Sequence, residues 1–253
     1  MFFPDAGGGG GDGGGGDGGG PGGGDYGGGG GGSGGGSDIP PMASFTVVGG
    51  SDAITNISEY NKCFTNTPGN THSYNISLCV SQPQEGSREG WVAAGGGSSS
   101  GGGPISVGHT FLILSETSPT GTVVRNVGFY PSGDVTPLSV ESQGQLNNDA
   151  NHEFNISLNV SVTSSQFAQV LNFIAQGNSP GYMYNLNSNN CSTFAMNALG
   201  SAGILVPRTN GSWLNGGGLN PGDLGEDIRE MELAANMTRT TMSGTHPNVG
   251  SCY

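Results

Sequence analysis

Cys191 stands where a thiol can become a nucleophile. A polar run of asparagine and serine precedes it, and residues 194, 195, 198 and 199 are apolar at helical spacing, which predicts a helix ending near Gly200. Asn189 or Asn190 is the expected N-cap, so Cys191 falls in the first turn. Free backbone N–H groups and the helix dipole favour a thiolate there. Beside an imidazolium, such a thiolate is nucleophilic at neutral pH.

A cysteine at a helix start also fits a second interpretation, that of a small buried side chain without chemistry. A partner base would favour the catalytic interpretation. Of the four histidines, His109 lies in an apolar strand pattern, whereas His72 lies in a turn, His152 at a polar strand start and His246 near the C-terminus. A strand histidine can also be purely structural, but Cys/His catalysis needs an imidazole and a sulfur from separate elements.

His109 begins the first arm of a predicted β-hairpin. The apolar segment 105–115 is followed by a turn at residues 118–121 and by a return strand at residues 122–130. Antiparallel pairing then places His109 across from Phe129 or Tyr130.

These segments resemble a known group of proteins. Gly-His109-Thr-Phe-Leu-Ile-Leu on a strand, followed by Asn-Asn-Cys191-Ser-Thr-Phe-Ala at a helix start, is similar to the circularly permuted papain-like group, which includes NlpC-type peptidases and lecithin-retinol-acyltransferase-like proteins. In the permuted members the strand histidine precedes the helix-start cysteine, as it does here. The resemblance covers roughly residues 74–203. It implies that Cys191 is the nucleophile and that His109 is the general base and then the acid.

The resemblance also implies a third residue that orients the imidazole from the strand after the histidine. This strand offers Asn126 and Tyr130, with Ser132 just beyond, and hairpin geometry favours Tyr130. No acidic residue or histidine stands at the expected position. The expected oxyanion donors are the Cys191 backbone N–H and an asparagine side chain from residues 187–190.

Two further segments, 128–131 and 220–229, resemble domains attached to bacterial effector or toxin proteins. This resemblance implies delivery machinery or an immunity protein as partners, and export by a route other than the Sec pathway. The N-terminus has no basic region followed by an apolar stretch, so no Sec signal peptide is predicted and the cytoplasm is the default compartment.

The predicted fold class is α+β, with an antiparallel sheet of about five strands packed against helices in a permuted papain-like arrangement. Alternating apolar residues mark strands near residues 74–80 and 154–162. Residues 131–148 are predicted to form a loop. Helices are expected from Thr163 or Ser164 to about Gly177, and from Asp223 to about Ala235, where a capping box is indicated.

Composition divides the chain into three parts. Residues 1–40 are glycine-rich and predicted to be disordered, residues 41–236 form the domain, and residues 237–253 are predicted to be a disordered tail. A second Gly/Ser tract, residues 95–103, is predicted to be a flexible loop inside the domain.

Charge and motifs exclude several function classes. The net charge of −13, with one lysine and five arginines, argues against nucleic acid and against an anionic membrane as partners. No apolar run is long enough to span a bilayer, and the cysteine and histidine spacing predicts neither a metal nor another cofactor. Cys63 and Cys79 fit a disulfide across a hairpin and two reduced thiols equally well.

The function favoured by these residues is that of a thiol hydrolase, a cysteine peptidase or amidase, which cleaves an amide bond through a Cys191 acyl-enzyme. The substrate would be a peptide, an isopeptide or a peptidoglycan stem peptide. Two alternatives stay open, a thiol acyltransferase that uses the same nucleophile and a non-catalytic binding or structural module.

Overall fold

The computed structural model describes residues 45–69, 71–93, 105–213 and 215–250, which belong to one compact unit. The described residues contain four helices: α1 (Ile57–Asn61), α2 (Ser164–Gln176), α3 (Cys191–Ser201) and α4 (Pro221–Glu230). They also contain eleven strands: β1 (Ser73–Ser81), β2 (Val92–Ala93), β3 (Ile105–Ser106), β4 (His109–Ser118), β5 (Gly121–Pro131), β6 (Glu141–Asn148), β7 (Ile156–Val162), β8 (Met183–Asn185), β9 (Gly211–Trp213), β10 (Gly216–Gly218) and β11 (Met237–Thr240).

A seven-stranded antiparallel sheet organises the fold, with the strand order β11-β7-β1-β4-β5-β6-β8. The fold is therefore α+β, as predicted. Strands β1, β4 and β5 lie at its centre, which puts the start of β4 in the interior of the molecule. The pairs β2–β3 and β9–β10 form two small separate sheets.

One face of the sheet carries the main core. Apolar residues of β1 such as Ile76 and Leu78 are fully buried there together with Phe167 of α2 and Phe194 of α3. This arrangement follows from the alternation in β1 and the helical spacing in α2, which each present one apolar face. Helix α3 contacts both β4 and β5, so the element that carries Cys191 lies against the strand that carries His109.

The opposite face of the central strands is covered as well. Cys79 is fully buried beside Phe111, Ile113 and Val124. Cys79 falls on the face of β1 that carries the polar residues of its alternating pattern, yet it is buried, because both faces of β1 are covered at this point. Cys79 is a free thiol, so the Cys63–Cys79 disulfide does not exist.

The prediction of about five strands was too low. Residues 131–148, predicted to be a loop, contain β6, which pairs with β5 in the register Phe129↔Leu146. Its sequence, Glu-Ser-Gln-Gly-Gln-Leu-Asn-Asn, is polar and has low intrinsic strand propensity. Pairing with the apolar strand β5 outweighs this propensity, and β6 in turn pairs with the short edge strand β8.

The prediction of a disordered C-terminal tail is wrong for residues 237–250. Strand β11 pairs with β7 in the register Met237↔Val160, and Val249 makes an isolated bridge with Val124. These polar residues are ordered by backbone hydrogen bonds to the exposed edge of a sheet, which composition alone does not reveal.

The helix starts agree well with the prediction. Thr163 and Gln166 form a capping box at α2, and Asn190 caps α3. Helix α4 begins at Pro221 under an Asn220 cap, slightly before the predicted start at Asp223, and it ends at Glu230 rather than near Ala235. Near the N-terminal end of the described residues, Val47 makes one isolated bridge with Val135.

The Gly-rich segment 1–40 was predicted to be disordered and the Gly/Ser tract 95–103 to be a flexible loop, and both lie outside the described residues. In the part of the chain that the structure describes, no helix has the length and hydropathy needed to cross a membrane.

Candidate active site

Cys191 is held rigidly at the first turn of α3. The N-cap Asn190 is buried, and its side-chain oxygen accepts a hydrogen bond from the Thr193 backbone N–H at 3.0 Å. Its amide group donates to the carbonyl oxygens of Leu186 and Leu219 at 3.0 and 2.7 Å. The helix start is therefore bound to both flanking chain segments, so the position of Cys191 is set by backbone contacts.

The predicted base lies next to the predicted nucleophile. His109, the first residue of β4, is buried and shares a hydrogen bond with Cys191. Its Nε2 atom lies 2.9 Å from Oδ2 of Asp149, so Nδ1 is the nitrogen left for the sulfur. Cys191, His109 and Asp149 thus form a row of thiol, imidazole and carboxylate, the order of groups that Cys/His nucleophilic catalysis requires.

Tyr130 supports this row. Its ring stacks on His109 with the ring centroids 4.3 Å apart, as the hairpin geometry predicted, and its hydroxyl donates to Oδ1 of Asp149 at 3.0 Å. Tyr130 therefore acts on the imidazole both directly, through its ring, and indirectly, through the carboxylate. The other candidates point elsewhere, because Asn126 donates to Asn248 and the Ser132 hydroxyl lies beside that of Ser142.

Asp149 reaches His109 across the intervening strand β5, and Gly128 makes this possible. A Cβ atom at position 128 would lie 1.9 Å from Oδ2 of Asp149 and 2.7 Å from Nε2 of His109. Any side chain there would occupy the space of the hydrogen bond between them. The resemblance to effector domains included Gly128 only as part of a motif, and the structure shows what its missing side chain does.

The electrostatics favour a charged pair. Burial opposes the cationic form of His109, but the charge and the hydrogen bond of Asp149, together with Cys191, raise its pKa to about 10. Burial likewise opposes the Cys191 thiolate. The hydrogen bond and charge of His109, followed by hydrogen bonds from the Thr110 backbone and the Ser192 side chain, outweigh this effect and lower the thiol pKa. Both pKa shifts favour the thiolate–imidazolium pair over the pair of neutral side chains.

A second imidazole borders the pair. The His152 ring lies edge-on to His109 with 5.0 Å between centroids, and it also contacts Phe111. Burial, and then the charge of His109, lower the pKa of His152, so this ring is neutral beside the charged one. The other two histidines make different contacts. His72 contacts Glu116, and the backbone carbonyl of His246 accepts a hydrogen bond from the Asn151 N–H.

Tyr184 of β8 is a site residue that sequence reasoning missed. It is almost fully buried and interacts with both the backbone and the sulfur of Cys191. Burial, and then the Cys191 charge, raise its pKa well above the ordinary value, so its hydroxyl remains an O–H donor. Among the predicted asparagine donors, Asn187 accepts from Trp213 and Asn189 donates to the Met183 carbonyl. Tyr184 is therefore better placed than they are to bind an oxyanion.

These groups open into a cavity of about 730 Å³. Its walls are largely apolar and include Val47, Leu186 and Leu219, together with Trp91 and Trp213. His109, Cys191, Tyr130, His152 and Tyr184 all line the same space. The described residues contain no cluster of three or more His, Cys, Asp or Glu side chains arranged to hold a metal ion.

Asp149 was missed because β6 was missed. It follows directly on Asn148, the last residue of β6, and a residue at the end of a predicted loop has no defined neighbour. The available signal was Leu146, which faces Phe129 across the β5–β6 pair. Recognition of that pair would have placed Asp149 beside Gly128 and within reach of His109.

No known protein family matches this chain, and neither a curated protein nor a solved structure does.

Proposed function

We propose that the protein is a thiol hydrolase that cleaves an amide bond through an acyl-enzyme at Cys191. The observation that carries this proposal is the buried row of Cys191, His109 and Asp149 at an open cavity. Oriented in this way, an imidazolium stabilises the thiolate before substrate arrives and supplies a proton afterwards.

The reaction proceeds in two halves. The Cys191 thiolate attacks the amide carbonyl, and the oxyanion formed accepts hydrogen bonds from Tyr184 and the start of α3. The C–N bond breaks as His109 gives its proton to the leaving amine, which leaves a thioester. His109 then removes a proton from water, the hydroxide attacks the thioester carbonyl, and the C–S bond breaks to release the carboxylic acid and the thiolate.

The roles of Asp149 and Tyr130 follow from this cycle. Asp149 keeps Nε2 of His109 engaged, so Nδ1 stays directed at the sulfur through both halves. Tyr130 restricts the imidazole ring on one face and occupies the second oxygen of Asp149. We place Tyr130 in the site as a positioning residue and Asp149 as the third member of the row.

The substrate class we propose is a peptide, an isopeptide or a peptidoglycan stem peptide, because Cys191 lines a cavity whose volume of about 730 Å³ is typical of a ligand-binding site. An acyl transfer to an acceptor other than water would use the same first half. The apolar walls are the observation that favours this second candidate, since they exclude water from the thioester.

A helix-start cysteine packed against a strand histidine of an antiparallel sheet also supports a permuted papain-like fold. In the same proposal, the resemblance of segments 128–131 and 220–229 to effector domains favours a delivered protein with an immunity partner over a resident cytoplasmic enzyme.

The test is iodoacetamide labelling of the wild type and of Cys191→Ala, His109→Ala and His72→Ala between about pH 5 and pH 9, with the labelled cysteine identified by mass spectrometry. We expect fast labelling of Cys191 near neutrality, slowed by His109→Ala and unaffected by His72→Ala. Cys79 is the internal control, because burial raises its pKa and it should stay unlabelled. Labelling of Cys191 at the rate of an ordinary thiol, independent of His109, would refute the enzyme and favour the binding module.

A further inference from the structure

A second cavity, of about 500 Å³, adjoins the first. Gly211 and Leu219 line both of them, so the two spaces are neighbours along one wall. A larger share of its lining is polar than in the first cavity, and its remaining lining residues are Asn187, Ser188, Thr193, Arg208, Asn210, Gly217 and Gly218.

Glycines of β10 allow this strand to pack closely against Asn187, which lines the cavity. A Cβ atom at Gly216 would lie 2.2 Å from Oδ1 of Asn187, and one at Gly218 would lie 2.3 Å from the Asn187 carbonyl oxygen. Strand β10 therefore lies directly against Asn187, whose side chain accepts the Trp213 indole N–H at 2.8 Å. No side chain from residues 216–218 projects into the space beside them.

Arg208 gives this cavity its charge. Its guanidinium donates to the Asn197 side-chain oxygen at 2.9 Å, and across residues 45–69, 71–93, 105–213 and 215–250 it forms no ion pair. This is unusual in a chain with a net charge of −13. The nearby carboxylates do not neutralise it, because Asp223 and Asp227 are paired with Arg88.

We propose that the second cavity binds an anionic group of the substrate, a carboxylate or a phosphate, on the acyl side of the scissile amide. Arg208 supplies the charge, and the Ser188 hydroxyl supplies a hydrogen-bond donor. The side follows from the lining: Ser188 and Thr193, which flank Cys191 at the start of α3, line the second cavity, whereas His109, which protonates the leaving amine, lines only the first. The assignment of the side rests on the proposed function.

Binding is tested without turnover, in the full-length Cys191→Ala protein. Succinate and inorganic phosphate are titrated separately while the backbone amide NMR shifts of Thr193, Gly217 and Gly218 are recorded. We expect one or both anions to shift these signals, to do so less at high salt, and to lose the effect in the additional variant Arg208→Gln. Lys62→Gln is the matched control, because it removes an exposed cation that pairs with Glu59 and should change nothing.

The two anions distinguish the two sources: a response to succinate alone identifies a carboxylate subsite, and a response to phosphate alone a phosphate subsite. Shifts that persist in Arg208→Gln, or none with either anion, would overturn the proposal. These results do not depend on hydrolysis, so failure of the subsite and failure of the enzyme are separate outcomes.

Kinetics test the side of the substrate. Matched peptides that carry glutamate or glutamine on the acyl side of the cleaved bond are compared with the wild type. At one position on the acyl side, we expect kcat/KM to be roughly tenfold higher for the glutamate peptide than for the glutamine peptide, because one charge-assisted hydrogen bond to Arg208 contributes about that much. Arg208→Gln should abolish this preference. A glutamate preference confined to the leaving-group side, or one that Arg208→Gln leaves unchanged, would contradict the assignment.

Discussion

Strand β4 contributes one residue to each of two histidine–carboxylate pairs, both of them largely buried. At its first residue, His109 contacts Asp149 at 2.9 Å, and further along the strand Glu116 contacts Nδ1 of His72 at 2.7 Å. The Asp149 pair borders a thiol and a cavity, whereas neither member of the Glu116 pair lines either of the two cavities described above.

The surroundings of the second pair, His72 and Glu116, show the structural role of a histidine–carboxylate pair that borders neither a thiol nor a cavity. Glu116 accepts hydrogen bonds from the Thr65 hydroxyl and backbone N–H and, at 3.4 Å, from the Tyr74 hydroxyl. Burial raises the pKa of Glu116, but Thr65 and then His72 outweigh it and lower the pKa overall. Such a pair holds segment 65–72 to the sheet. The difference at His109 is that the second imidazole nitrogen is beside a thiol. In the proposed function, this neighbour gives the histidine–carboxylate pair its acid–base role.

The largest expected contrast is between the two histidines. His109→Asn removes the base and should lower kcat/KM for the best peptide substrate by about 10⁴-fold or more, because the members of a catalytic row act as a unit. His72→Asn should leave kcat/KM within about twofold and instead destabilise the fold by about 1–3 kcal/mol. Peptide hydrolysis and urea unfolding of both variants measure this. Equal losses of activity would remove the distinction between the two pairs.

Substitutions of the two carboxylates, Asp149 and Glu116, should show the same contrast in activity. The Asp149 variant should also change how activity depends on pH. Asp149→Asn should cost about 10²–10⁴ in kcat, because the imidazole loses its orienting acceptor. Asp149 also holds the His109 pKa at about 10, so activity in the wild type should persist until pH rises through that value. In Asp149→Asn the alkaline limit should move towards neutrality, which a pH–rate profile detects.

Glu116→Gln is the counterpart. The folded-state pKa of Glu116 is lowered, so its contribution to stability is present above the ordinary carboxyl pKa and is lost as pH falls through the folded-state value. Glu116→Gln should therefore destabilise the protein at pH 7 and flatten its acid unfolding curve, with the pH–rate profile unchanged. A shifted rate profile in this variant would contradict the structural role.

Gly128 provides a further test of this comparison, because it lies beside the His109–Asp149 pair and not beside the His72–Glu116 pair. Gly128→Ala places a methyl group between Asp149 and His109 and should lower kcat/KM by about ten- to a hundredfold through misplacement of the imidazole. Gly133→Ala is the control, since its Cβ would meet only the Ser142 hydroxyl at 3.5 Å. Circular dichroism and thermal unfolding of both variants separate misplacement from unfolding. Full activity in Gly128→Ala would show that the His109–Asp149 contact is dispensable.

The smallest expected effect concerns the two tyrosine hydroxyls. Tyr130→Phe keeps the stacked ring and removes the hydrogen bond to Asp149, so kcat should fall about three- to tenfold. Tyr74→Phe removes the corresponding hydroxyl beside Glu116 and should change stability alone. Steady-state kinetics of Tyr130→Phe and Tyr74→Phe measure the two effects on kcat. A larger loss of activity in Tyr74→Phe than in Tyr130→Phe would contradict the role proposed for each tyrosine.

The sequence alone predicted the local parts of the site. The start of α3, its asparagine cap, the position of Cys191 in the first turn and the position of His109 in a strand could all be predicted from spacing and capping chemistry. These features could be predicted because a helix start satisfies its free N–H groups with residues a few positions away, and because the hairpin of β4 and β5 joins neighbouring segments.

The tertiary structure alone decided the rest. Strand β6 exists because β5 offers it a partner, Asp149 reaches His109 because Gly128 has no side chain, and Tyr184 meets Cys191 because β8 closes the edge of the sheet. His109 and Asp149 are 40 residues apart in sequence, and the contact between Tyr184 and Cys191, although short in sequence, depends on the pairing of β8 with β6. Their positions depend on strand register and on the packing of the whole sheet, which no local pattern of residues encodes.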